Sequence, residues 1–148
     1  MARISMGYPS PRSELDMLEL HGGVSPLESL RPVTDAATIA QMVESVRQVH
    51  AAPAVRQYIV DLVGSTRSSS ALRLGASPRA TLHLLRASRA HAALSGRDHV
   101  LPDDVQQIAV PVLAHRLIPT GETQMARRST ADVLGDLLQR VRVPAPTR

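Results

Sequence analysis

The sequence predicts an all-α fold, a bundle of four to five helices preceded by a short strand and a helix. Apolar residues recur at helical spacing along most of the chain, and prolines and capping residues stand where these runs begin. Only Tyr8 and Tyr58 are aromatic, and there is no Phe or Trp. The core must therefore come from Leu, Val, Ile, Met and Ala, which suits packed helices better than a β-sandwich. With 148 residues the chain is long enough to bury such a core.

The N-terminal segment predicts one strand and one helix. Residues 3–8 alternate well enough for a short strand that ends at Pro9, and no other strand of the chain is expected to pair with it. Ser10 and Pro11 begin a helix, which His21-Gly22-Gly23 ends. The stretch from there to Pro32 is typical of a linker between two domains. The apolar side of this helix consists of Leu15, Met17, Leu18 and Leu20.

Two amphipathic helices follow the linker. The first begins after Thr34 or Asp35 as its cap, and the second begins at Pro53 and ends near Gly64 and the serines at 68–70. Each carries apolar residues at helical spacing, which we expect to face a core. These stripes are Ile39, Met42, Val43, Val46 and Val49 in the first helix and Val55, Tyr58, Ile59, Leu62 and Val63 in the second.

The C-terminal half predicts three more helical segments. A helix from Pro78 to about Leu94 is apolar on most sides and is expected at the centre of the bundle. The next begins at Pro102 with acidic residues at its positive end, and Pro111 kinks or restarts it. The last helix has an apolar face and is followed by a flexible tail, residues 143–148, that is too short and proline-rich to fold. That face consists of Val133, Leu134, Leu137, Leu138 and Val141.

The run from Gly75 to Arg79 is the most informative motif of the chain. Ser77 is expected as the N-cap, Pro78 as the first helical residue, and Gly75 as a breaker that allows a close approach. Arg79 then lies in the first turn, where the helix field opposes a cation. A guanidinium and free backbone N–H groups in the same place suggest a phosphate binder. The alternative is that Arg79 points into water at an ordinary capped helix start.

The same motif resembles the sensor-2 motif of the MoxR family of AAA+ ATPases. The quoted run is Gly75-Ala76-Ser77-Pro78-Arg79-Ala80. Residues 3–9 resemble the last strand of that family's nucleotide-binding core, and the stretches 101–105 and 111–117 resemble its C-terminal lid. The resemblance extends over roughly residues 3–117, with a weaker likeness in the final helix.

The resemblance implies that this chain is the C-terminal part of such an ATPase. Residues 1–31 would be the remnant strand and helix of the α/β core with a linker, and residues 32–142 the helical AAA+ lid bundle. The parent protein is expected to hydrolyse ATP with Mg²⁺ and to assemble as a ring, a hexamer in this family. It is expected to act as a chaperone-like remodeller or maturation factor, on partners that include proteins with von Willebrand A domains.

The resemblance also assigns roles to residues of the fourth predicted helix and its cap. Arg79 would be the catalytic sensor-2 arginine that reaches the γ-phosphate, with Ser77 and Pro78 beside it at the nucleotide. Arg86 lies seven residues further, about 20° round the same helix face, and Arg89 is close to that stripe. These two arginines would contact phosphate or a neighbouring subunit; the alternative is a solvated face.

The composition limits what this chain can do alone. All 17 basic residues counted as Lys or Arg are arginines, whereas a Walker A loop requires a lysine for the β- and γ-phosphates. We therefore expect the isolated chain neither to hydrolyse ATP nor to bind nucleotide tightly, and the parent protein to supply the phosphate-binding loop.

Other function classes have weaker support. There is no Cys, no H-E-x-x-H motif and no G-x-S-x-G elbow, so neither a metal site nor a Ser-His-Asp hydrolase is expected. No apolar run is long enough to span a bilayer and no signal-peptide pattern is present, so a cytoplasmic protein with no membrane partner is expected. The net charge of +4 comes from scattered arginines, which predicts no specific nucleic-acid partner. A free-standing helical interaction module is the main alternative, and a helical DNA-binding module a weaker one.

Overall fold

The computed structural model describes residues 2–20 and 26–145. Two compact units are present: one comprises Ile4–Met42, and the other comprises Arg3 and the described residues from Val43 onward. The expected helix stop at His21-Gly22-Gly23 and the last residues of the expected tail, 146–148, lie outside the described part.

The predicted all-α class is confirmed. The described residues form seven α-helices and one two-stranded antiparallel sheet. Short 3₁₀ turns lie at Pro26–Ser29 and Ala114–Arg116. The helices are α1 (Pro11–Leu20), α2 (Ala36–Gln48), α3 (Pro53–Ser68), α4 (Pro78–Leu94), α5 (Pro102–Leu113), α6 (Gly121–Met125) and α7 (Thr130–Arg140); the strands are β1 (Leu72–Leu74) and β2 (Ile118–Pro119).

The larger unit has an aliphatic core, as the composition predicts. Its helices α3, α4, α5 and α7 pack against one another, and Tyr58 is the only aromatic side chain among the buried core residues described. Helix α7 begins at a capping box in which Ser129 Oγ accepts from the Asp132 N–H. The fully buried larger apolar side chains are Tyr58, Ile59, Leu62, Val63, Leu84, Val105, Val112, Leu113, Val133 and Leu134.

Helix α4 has the predicted bounds but a narrower buried face than its composition suggests. It buries one stripe of mainly small residues, Ala80, Leu84, Ser88 and Ala92. Leu82 and Leu94 are 55% and 88% exposed. The expectation that α4 is surrounded by the other helices is therefore wrong. Alanine and serine along the stripe let α5 approach closely, so the many alanines of α4 reflect this contact.

A buried carboxylate fixes the junction between α4 and α5. Asp104 is 1% exposed, and its carboxylate accepts two hydrogen bonds from Arg97, at 2.7 and 2.6 Å. It also accepts from His91 Nδ1 at 2.7 Å and from the Leu101 N–H at 2.7 Å. Burial alone would raise the pKa of Asp104, but these donors and the Arg97 charge outweigh it and hold the pKa well below its usual range. From the sequence, this aspartate is expected only to interact favourably with the positive end of the helix.

Strands β1 and β2 were not predicted from the sequence. Leu72 lies opposite Pro119 and Leu74 opposite Ile118 in an irregular register. The Thr123 hydroxyl and the Thr120 N–H both donate to Ala71 O, at 2.9 and 3.1 Å. Strands of three and two residues are too short to show a period in the sequence. Their pairing holds the segment that leads into α4.

The predicted N-terminal strand is not formed among the described residues. Residues 2–10 have no regular secondary structure, because a strand requires a ladder partner and no described strand pairs with them. The Arg3 N–H instead donates to Pro111 O at 2.8 Å. Pro111 itself lies inside α5, which ends two residues later and continues as the 3₁₀ turn.

Helices α1 and α2 form where predicted, with Ser10 and Asp35 as caps: Ser10 Oγ accepts from the Ser13 N–H at 3.1 Å, and Asp35 Oδ1 from the Thr38 N–H at 2.7 Å. Neither helix buries a side chain. The expectation of a core face is therefore wrong for Ile39, Met42 and Val43 of α2, which are exposed, but Val49 of the same stripe, just beyond the end of α2, is buried in the core. Helical periodicity indicates that a helix has an apolar face, but it does not show which part of the protein, if any, buries that face.

Candidate functional site

The segment before α4 is held against the end of α3 by close backbone contact. A Cβ atom at Gly75 would lie 2.6 Å from Thr66 O and 2.7 Å from Arg67 Cα. The Ala76 N–H donates to Thr66 Oγ1 at 2.9 Å, and Arg67 Nε donates to Ala76 O at 2.8 Å. Because both polar groups of the Ala76 peptide are bound to α3, the chain enters α4 from a fixed position.

Helix α4 begins as the sequence predicts, with Ser77 at the N-cap and Pro78 in the first turn. The Ala80 N–H donates to Ser77 O at 2.8 Å. The Ser77 hydroxyl makes no capping hydrogen bond with α4. The N-terminus of this helix therefore has no side-chain acceptor of its own, and its N–H groups keep their partial positive charge.

The Arg79 side chain is exposed at this helix start. Within residues 2–20 and 26–145 it makes neither a hydrogen bond nor an ion pair. An arginine in the first turn of a helix is unfavourable by a few tenths of a kcal/mol unless an anion lies nearby. Its position leaves the guanidinium able to bind an anion together with the backbone of the helix terminus.

His83, one turn beyond Arg79, lies among arginines. Burial lowers the pKa of His83 below its ordinary value. The positive charges of Arg116, Arg86 and Arg79 lower it further. Arg116 belongs to the turn after α5, so the fold brings together positive charges that are far apart in the sequence. Arg79, Arg86 and Arg116 thus contribute positive charge to the same surroundings of His83.

The two other arginines named for this stripe differ from each other. Arg86 is exposed, whereas Arg89 is half-buried. The Nε atom of Arg89 is buried and has no hydrogen-bond partner among the described residues. Arg86 therefore suits a contact with an outside group better than Arg89 does.

Replacing Gly75 with alanine tests the rigid approach of this segment. The new Cβ would overlap backbone atoms of α3, which cannot move aside as a flexible side chain can. We expect the free energy of unfolding to fall by about 1 to 3 kcal/mol, measured by urea denaturation. Gly135→Ala in α7 is the matched control, since nothing lies within 4 Å of its Cβ position. That variant should be as stable as the parent or slightly more so; equal behaviour of the two variants would show that the approach is not tight.

Two residues that position the motif were missed by the sequence analysis. Thr66 and Arg67 lie at the end of α3, nine or ten residues before the groups they bind. Polar residues are common at solvent-exposed helix ends, so the sequence does not distinguish Thr66 and Arg67 from residues that face water. The one available signal was Gly75 itself, which indicates a close backbone approach without naming its partner.

The described residues give no support for a metal site or a membrane-spanning helix. The described residues contain no group of three or more His, Asp or Glu side chains that could hold a metal ion. His91 binds Asp104, whereas His83 lies among the arginines near Arg79. In the described part of the chain no helix is both long enough and apolar enough to cross a membrane.

Part of the chain matches a known protein family. Residues 64–137 match the AAA lid domain. This range contains the end of α3, the Gly75–Arg79 motif and all elements up to most of α7. The matched family thus covers the candidate site and the helices that support it.

Several known proteins are similar to more than half of this chain. The uncharacterized protein YeaC of Bacillus subtilis is 34% identical over 142 residues, which are 96% of this chain and 44% of that protein. The chaperone MoxR1 of Mycobacterium tuberculosis is 31% identical, over 96% of this chain and 40% of that protein. Protein MoxR of Paracoccus denitrificans is 37% identical over 100 residues. The chain thus spans less than half the length of these relatives.

A solved structure shares the fold. The crystal structure of a candidate ATPase from Cytophaga hutchinsonii superposes with a TM-score of 0.85 and 25% sequence identity. The superposition covers 98% of this chain and 47% of that one. An experimental structure therefore contains a similar fold.

Proposed function

Because this chain belongs to the AAA lid domain family and corresponds to the C-terminal part of MoxR-type AAA+ ATPases, we propose that it couples nucleotide state to movement through Arg79. In this proposal Arg79 is the sensor-2 arginine. Its guanidinium stabilises the negative charge on the γ-phosphate of ATP bound by the nucleotide-binding core. The lid changes position when that phosphate is lost.

The observation that carries the proposal is the state of Arg79. It is exposed, it has no partner among the described residues, and it stands at a helix start whose N–H groups also favour an anion. The preceding backbone is fixed by Thr66 and Arg67. A backbone fixed in this way presents the Arg79 side chain from a constant position, which reduces the reorganisation needed when it binds a developing charge.

The neighbouring residues have supporting roles. Ser77 and Pro78 form the turn that presents Arg79 and lie next to the nucleotide. Arg86, exposed on the same helix, contacts phosphate or a neighbouring subunit. Arg89 is the weaker candidate for such a contact, because part of its guanidinium is already buried.

The same proposal divides the chain into a core segment, a lid and a tail. Residues 1–31 would complete the nucleotide-binding core and lead out of it, residues 32–142 would form the lid, and residues 143–148 a tail. An unpaired N-terminal segment is what a strand of a sheet lying elsewhere in the protein would leave in this chain.

The whole protein would act as follows. A phosphate-binding loop outside this chain supplies the lysine that the chain lacks, and ATP and Mg²⁺ are its cofactors. This chain alone would not hydrolyse ATP. The protein would form a homo-oligomeric ring, a hexamer, in the cytoplasm. It would remodel or mature other proteins, as the name of the chaperone MoxR1 suggests, including partners with von Willebrand A domains.

Amide hydrogen exchange in the complete protein tests whether nucleotide reaches this site. We expect a non-hydrolysable ATP analogue with Mg²⁺ to slow exchange in residues 75–82, because closure over the nucleotide suppresses local opening of the α4 start. The first turn of α3, residues 53–57, is the internal control, since it also begins with a proline and carries an exposed arginine, Arg56. Exchange in residues 53–57 should be the same with and without the analogue. If exchange in residues 75–82 is also unchanged, the α4 start does not close over the nucleotide.

A further inference from the structure

A cationic cleft lies beside the start of α4, and Arg79 is not among the residues that line it. It encloses about 440 Å³. Three arginine side chains line it together with the backbone of the Gly75 segment. The lining residues are Arg67, Arg73, Leu74, Gly75, Ala76, Ser77, Pro78 and Arg116.

The charged side chains that line this cleft all carry positive charge. No aspartate or glutamate occurs among the described residues that line it. Arg67, Arg73 and Arg116 come from α3, β1 and the turn after α5, so the tertiary fold brings them together. A concave surface lined by one sign of charge concentrates its field and attracts a counter-ion.

Two of the three guanidinium groups are held in place by the backbone. Arg67 Nε donates to Ala76 O at 2.8 Å, and Arg116 Nε donates to Val112 O at 3.0 Å. Arg73 forms neither a hydrogen bond nor an ion pair with the described part of the chain. Side chains that are already oriented lose less conformational entropy when they bind a ligand.

We propose that this cleft binds a phosphate-class anion, with Arg67, Arg73 and Arg116 as its ligands. Guanidinium groups match phosphate oxygens with paired hydrogen bonds. A cleft of this size suits a compact anion such as a diphosphate group with its water. A single-stranded nucleic acid would need aromatic stacking surfaces, and the cleft has none.

Ser77 and Pro78 belong both to this lining and to the nucleotide site proposed above, but the three arginine ligands of the cleft are distinct from Arg79. The anion has two possible sources with the same chemistry: the phosphate chain of a nucleotide, or free phosphate and pyrophosphate. Because Arg79 is not part of the lining, substitutions in the cleft and substitutions at Arg79 can give separate results.

Pyrophosphate titration of the 148-residue chain tests the proposal. We expect saturable binding in calorimetry at low ionic strength, weakened by added salt. Arg73→Gln should reduce the affinity by about tenfold or more, because one charge-assisted contact is lost. Arg116→Gln should act in the same direction, and Arg73→Lys should keep more of the affinity than Arg73→Gln does.

Arg56→Gln is the matched control, since this exposed arginine lies on α3 and does not line the cleft. It should bind pyrophosphate as the unmodified chain does. Absence of binding, or an equal loss in Arg56→Gln and Arg73→Gln folded to the same extent by circular dichroism, would overturn the proposal. Equal loss would mean that only net charge matters.

Competition distinguishes the two sources. If ATP displaces pyrophosphate and adenosine does not, the cleft takes the phosphate chain of a nucleotide. If pyrophosphate binds and ATP does not compete, the cleft takes free phosphate. Either result supports a phosphate-class site, and neither depends on whether Arg79→Ala changes ATP hydrolysis.

Discussion

Replacing Asp104 with asparagine is expected to lower the free energy of unfolding by about 3 kcal/mol, because it removes one partner of a buried ion pair. The carboxylate is 1% exposed and accepts from Arg97, His91 and the Leu101 backbone. Asparagine has nearly the same size, so no cavity is created. Its NH₂ group would instead face one of these donors. The melting temperature should fall by roughly 10 °C.

Asp103→Asn is the control for this variant. Asp103 is the preceding residue in the same helix turn and is exposed, so its loss should change stability by no more than about 0.5 kcal/mol. Similar destabilisation of both variants would show that the helix dipole, rather than the buried ion pair, is responsible.

The pH dependence of stability gives a second readout for Asp104. Its pKa is lowered in the folded state, so its stabilising contribution is fully present above the unfolded value of about 3.9. The contribution is lost as the pH falls below that value towards the folded pKa. The difference in stability between the unmodified chain and Asp104→Asn should therefore be constant at neutral pH and narrow below about pH 4.

The N-termini of helices α1 to α5 could be predicted from the sequence because each N-terminus is determined by residues close to it in the chain. Ser10 and Asp35 cap their helices through their side chains, Ser77 occupies the N-cap position of α4 without a side-chain bond, and α3, α4 and α5 begin at prolines. A cap or a first-turn proline acts within four residues, so a linear pattern contains the necessary information.

What the sequence could not show depends on residues distant in the chain. The apolar stripe of α2 has the correct spacing, yet Ile39 and Met42 are 46% and 54% exposed. The cationic cleft joins Arg67 and Arg73 to Arg116, more than forty positions apart in the printed sequence. Similarly, Asp104 gains Arg97 and His91 only when α4 and α5 pack.

Arg79→Ala is expected to have the largest effect on function. If Arg79 stabilises charge on the transferring phosphate, its removal should lower the rate of ATP hydrolysis by roughly 10²- to 10³-fold, the effect of losing one such donor. In that case ATP affinity should change much less, because the proposed binding loop outside this chain would hold most of the phosphate. The fold should be unaffected, since Arg79 is exposed and makes no contact with the described residues that alanine would break.

Arg56→Ala provides the matched control for Arg79→Ala. Arg56 is also an exposed arginine in the first turn of a helix that begins with proline. Its loss removes the same charge from the lid without touching the α4 start. We expect this variant to hydrolyse ATP at the unmodified rate.

The most direct test of the lid assignment is therefore steady-state ATP hydrolysis by the complete protein, with ATP affinity measured on the same preparations. We predict that Arg79→Ala loses hydrolysis while it still binds ATP and remains folded, and that Arg56→Ala retains both activities. Unchanged hydrolysis in Arg79→Ala would contradict a sensor role. The Gly75–Arg79 motif would then be only a well-positioned helix start.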